Sequence, residues 1–110
     1  MAKWLDAISR SICDDILMNI HNYDYMKSLM DIMGPNHQIF KKNMTIMHFS
    51  VYSNDIRIVI LVLESGGDPN LKDINGITPT DLCVILKRPI DYLNLLLSYG
   101  GKKSIFCYDI

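Results

Sequence analysis

Residues 45–77 read TIMHFSVYSNDIRIVILVLESGGDPNLKDINGI, and residues 78–101 begin the same program again as TPTDLCVILKRPIDYLNLLLSYGG. Thr45 in the first copy corresponds to Thr78 in the second, and Asn43 just ahead of the first corresponds to Gly76. A repeat period of about thirty-three, carrying two short helical patterns per copy, is the signature of a stacked helical repeat. The stretch Ile56–Leu63 also admits a strand, because it is short and rich in β-branched residues. The repeat register favours a helix.

Each copy carries its own punctuation. Thr45 and Thr78 are suited to cap helices, and Pro79 stands where proline suits the first helical turn. Asn54-Asp55 interrupts the pattern after Tyr52, and Asp55 can cap a second helix over Ile56–Ser65. That helix is apolar nearly all round (Ile58 to Leu63), which implies burial between neighbours. Gly66-Gly67 stops it, and Asp73-Ile74-Asn75-Gly76 is a turn. In the last copy, Pro89 opens a second helix with Tyr92, Leu93, Leu96 and Leu97 on its apolar stripe, and Gly100-Gly101 closes it.

Upstream, apolar residues from Trp4 through Ile8, Ile12, Ile16, Leu17 and Ile20 form one helical stripe. Asn22 can cap a helix over Tyr23–Met33, which Gly34-Pro35-Asn36 ends. Asn43 stands where the next copy has Gly76, and asparagine tolerates positive φ best after glycine. The same turn is expected at both places.

The pattern resembles the ankyrin repeat family, whose units open on a Thr-Pro-Leu-His-type motif. An antiparallel helix pair follows, then Gly-Ala-Asp-x-Asn and a turn glycine. The openings here are Thr45-Ile46-Met47-His48 and Thr78-Pro79-Thr80-Asp81, and the glycine segment is Gly66-Gly67-Asp68-Pro69-Asn70. The match is specific over Thr45–Gly101 and weaker upstream, where Gly34 lies one full period before Gly67. The resemblance implies an all-α, short ankyrin-repeat solenoid of about three helix-turn-helix units with hairpin-like loops. Residues 1–11 would extend the first helix, 12–44 form a degenerate repeat, 45–77 a full repeat, and 78–110 the last repeat and tail. Length, degenerate first repeat and composition are similar to ankyrin proteins of large DNA viruses, poxviruses among them.

Composition narrows the function. The 110 residues have a net charge of −1, 49% hydrophobic and 21% charged side chains, which suits one globular domain. Lys41-Lys42 and Lys102-Lys103 are too short for a nucleic-acid footprint. The longest apolar run, Ile58–Leu63, cannot span a bilayer. Cys13, Cys83 and Cys107 are odd in number and widely spaced, as expected of reduced thiols in the cytoplasm or nucleus. No histidine or cysteine pair has metal-ligand spacing, and no glycine loop suits a phosphate, so neither metal nor cofactor is expected. No thiol is paired with a base, so the chain is expected not to be an enzyme. His48 invites a catalytic reading, but the resemblance gives that histidine a structural role, tying the Thr45 hydroxyl to a backbone carbonyl.

The resemblance implies a concave binding surface on the turn tips and the first helices. Carried over, it comprises Lys41, Lys42, Met44, Tyr52, Ser53, Ile74, Asn75, Ile77, Ile85 and Leu86. Apolar residues at positions that should be wet suggest a partner protein. The function implied is a non-enzymatic interaction module, an inhibitor or adaptor that blocks or recruits another protein, with a host signalling or restriction factor as the target if the viral likeness holds. The alternative is assembly: Tyr92, Leu93, Leu96 and Phe106 leave the last helix apolar, so a homodimer or the tail would cover it.

Overall fold

The computed structural model describes residues 15–39 and 42–103. Residues 15–18 are helical (α1), followed by α2 at Tyr23–Met33, α3 at Ile46–Tyr52, α4 at Ile56–Glu64, α5 at Pro79–Ile85 and α6 at Ile90–Ser98. There is no strand among the described residues, and Ile56–Leu63 is helical.

Local chemistry sets these boundaries. The Asn22 side chain accepts from Tyr25 N at 3.1 Å, and Asp55 Oδ1 accepts from Arg57 N at 3.0 Å. Thr45 and Thr78 both close capping boxes, which satisfy helix N–H groups that have no intrahelical partner. Pro89 is the N-cap of α6, just before its first helical position, and gives no side-chain bond there. Asn43 and Gly76 both have positive φ, 53° and 77°, so the expected shared turn is present. Asn54 and Lys87, at equivalent points of the two copies, repeat that geometry between the helices of each pair, at 52° and 55°.

The helices form two layers. α2 packs on α4 and α4 on α6, while α3 packs on α5; α3–α4 and α5–α6 pack as pairs. The core runs through both layers, from Ile16 and Met26 through Met47, Phe49, Ile58 and Val62 to Leu82 and Leu96. α3 is the most enclosed helix: Ile46 to Val51 are all buried. The Ser50 hydroxyl, buried with them, is satisfied by donating to Met47 O at 2.6 Å. α4 is less enclosed than its sequence suggests, since Ile60 and Leu61 are only half-buried. An all-apolar helix can share its flanks with solvent once two faces are packed.

Hydrogen bonds sew neighbouring units together. His48 Nδ1 accepts from Thr45 N at 3.0 Å and lies 3.0 Å from Thr45 Oγ1, so Nε2 carries the proton and donates to Ile77 O at 2.8 Å. The ring therefore has the tying role that the resemblance implied. Burial pushes its pKa below the usual histidine value. Thr80 Oγ1 donates to Pro69 O, Gln38 Nε2 to Lys72 O, and Ile74 N to Lys42 O. From α5's far end, the Arg88 guanidinium donates to Val51 O and Tyr52 O, both at 3.1 Å.

Candidate functional site

The turn tips at 42–44 and 73–77 stand beside the exposed end of α3 and enclose a groove. Asp73 builds one wall: its Oδ1 accepts from Asn75 N at 2.8 Å and Ile77 N at 3.0 Å. That turn lifts Ile74 into solvent at 62% exposure. Tyr52, last residue of α3, is 39% exposed and forms the opposite wall.

Two adjoining hollows occupy the groove. The larger, about 280 Å³, is lined by Lys42, Met44, Tyr52, Asp73, Ile74, Asn75, Ile77 and Leu82. The smaller, about 190 Å³, is lined by Leu17, Lys42, Met44, Phe49 and Tyr52. Each lies at or below the lower end of the ~300–1,000 Å³ of small-molecule sites and has room for an inserted side chain. No cluster of His, Cys, Asp or Glu able to hold a metal lies among the described residues. None of the described helices is long and apolar enough to cross a membrane.

The structure brings Lys42, Met44, Tyr52, Ile74, Asn75 and Ile77 together in this groove. Lys41 and Phe106 lie outside the described residues. Ser53 does not belong to the surface. It is 1% exposed, its hydroxyl donates to Ser50 O at 2.5 Å and accepts from Asp55 N at 3.1 Å, and it closes the turn between α3 and α4. Ile85 and Leu86 are half-buried and line neither hollow, and Leu86 packs on the core.

At the other end, Tyr92 and Leu96 are 8% and 0% exposed, so they cannot form an outer face. Their stripe is the one α6 turns onto α4 and α5. Leu93 is half-buried; Ile90, Leu97 and Tyr99 are the exposed apolar groups there.

Three groove residues escaped the sequence reading. Leu17 shares the N-terminal apolar stripe yet is 47% exposed at the smaller hollow. Leu82 and Phe49 lie at the base, 5% and 1% exposed, where core and site residues look alike in sequence. Asp73 was legible as a turn, because aspartate bonds backbone two residues on.

Cys83 is buried, and desolvation pushes its thiol up to about 11. Such a thiol is a poor nucleophile at neutral pH.

No family model matches the chain. Curated relatives do. An ankyrin repeat domain-containing protein of Monkeypox virus is 29% identical over 105 residues, covering 81% of this chain and 16% of the relative. Its Cowpox virus counterpart is 36% identical over 69 residues, 63% of this chain and 10% of the relative. Ankyrin repeat protein 14 of Vaccinia virus is 35% identical over 69 residues, covering 63% and 28%. The chain is similar to ankyrin repeat proteins of poxviruses, and its all-helical structure agrees with that repeat fold. It spans between a tenth and just over a quarter of the length of these relatives. Ankyrin repeats are generally non-enzymatic and bind other proteins, which agrees with a groove built from Tyr52, Met44 and Ile74.

Proposed function

We propose that the chain is a non-enzymatic protein-binding module that grips its partner in the groove between the turn tips and α3. The observation that carries this is the groove's composition: Met44, Tyr52, Ile74 and Ile77 converge around two hollows of side-chain size. Aromatic and aliphatic anchors in a recess are the residues that dominate binding energy at interfaces. The likeness to poxvirus ankyrin proteins supports a host signalling or restriction factor, met in the cytoplasm or nucleus and blocked or recruited there. Affinity purification of the tagged chain, followed by mass spectrometry, identifies the partner. Tyr52→Ala with Ile74→Asp should abolish its capture with circular dichroism and melting unchanged, because both side chains are exposed. Equal capture by the double variant removes the groove from the reading.

A second reading, assembly, is favoured by Ile90 and Leu97, two exposed apolar residues seven apart on one face of α6. Sedimentation across a concentration series tests it: a monomer at high concentration counts against assembly.

A further inference from the structure

The groove has an uneven charge. Among the described residues Asp73 is the one carboxylate lining it, and its Oδ1 accepts from the N–H groups of Asn75 and Ile77. It borders only the larger hollow. Among the described residues the smaller hollow is lined by one cation, Lys42, which is exposed and shares the lining with Met44 and Tyr52. The Arg88 guanidinium, bonded to Tyr52 O, adds a second cation behind that wall. The chain as a whole carries −1, so the positive site is local rather than a consequence of net charge.

We infer that the groove takes an acidic peptide segment, seating one bulky apolar side chain in the smaller hollow with a carboxylate beside it on Lys42. The inference rests on the groove being the binding surface and adds the chemistry of what binds. Its physical basis is complementarity. A basic segment would bring like charge to Lys42 and Arg88 at the smaller hollow, which Asp73 does not line. A neutral one would leave the ammonium partly desolvated and unpaired. The apolar anchor supplies affinity, and the carboxylate supplies register and selectivity.

The test uses a phage-displayed library of random peptides selected against the immobilised full chain. Enriched sequences should carry Leu, Phe, Trp or Met flanked by Asp or Glu. A synthetic peptide of that consensus should bind about tenfold more weakly to Lys42→Glu, and its affinity should fall with salt. Selection against Lys42→Glu should shift the flanking residues toward Lys and Arg. Enrichment of neutral or basic sequences, or none above a protein-free surface, overturns the inference. So does a self-associated chain whose dimer contact competes with the peptides. If non-acidic peptides are selected and lost with Tyr52→Ala and Ile74→Asp, the groove stands and only the acidic chemistry falls. If selected peptides ignore that double variant, the groove falls as well.

Discussion

Asn36 and Asn70 perform the same bridging in successive units. The Asn36 carboxamide donates to Gly66 O at 2.9 Å and accepts from Asp68 N at 2.6 Å. That of Asn70 donates to Gly100 O at 2.9 Å and accepts from Lys102 N at 2.8 Å. Each side chain thus satisfies two backbone groups of the loop that follows the next helix pair. Asn70→Ala should cost about 1–2 kcal/mol, from two net hydrogen bonds at a partly exposed position. A urea titration should show a lower midpoint with an unchanged slope. An unchanged midpoint would mean that water replaces both bonds without loss.

His48 predicts a pH dependence of known sign. Its folded pKa lies below the usual 6.5, so the unfolded chain binds more protons in that window. The stability contributed by the neutral ring is fully present above 6.5. It is lost as pH falls through the lowered folded value, because a protonated Nδ1 cannot accept from Thr45 N. The urea midpoint should therefore drop between pH 7 and pH 5. Thr45→Val should lower the midpoint at both pH values and keep the slope with pH, whereas His48→Ala should flatten it. A drop of equal size in His48→Ala would assign the pH dependence elsewhere.

Gly67 is fixed by space rather than by backbone angle. A Cβ there would lie 2.7 Å from Val62 Cγ1, 2.8 Å from Val62 O and 3.0 Å from Met47 Sδ. The carbonyl cannot rotate away, since it accepts from Gly67 N at 2.8 Å. Gly67→Ala should cost about 1–3 kcal/mol, lowering the melting temperature by several degrees. A gain in stability would show that α4 shifts freely.

Cys83 should be a reporter of opening. With its thiol held near 11, about one molecule in a thousand is ionised at pH 8, and the sulfur is buried. Iodoacetamide labelling, followed by peptide mass spectrometry, should rise with urea in step with the circular dichroism transition. Rapid labelling in native buffer would contradict the packed α5.

The helices and their caps were legible because each is set by residues close together in the chain. Thr45 finds His48 and Thr78 finds Asp81 within one turn. The orientation of a helix face was less legible. Tyr92 and Leu96 form a clear stripe, but a stripe does not say whether the neighbour or solvent meets it. Ser53 misled for a related reason: a small polar residue at a turn reads as wet, while here Ser50 O and Asp55 N satisfy it internally. Arg88 and the Asn36–Asn70 pair bond partners in a neighbouring unit, and no local pattern announces such contacts.

Because Arg88 reaches back to hold the carbonyls of Val51 and Tyr52, one wall of the cleft is anchored by the unit that follows it. A bound chain that pulls on Tyr52 therefore loads the last helix pair too. If the cleft is the binding surface, prying that pair loose should slacken the grip, so capture should fall with the integrity of the last helix pair.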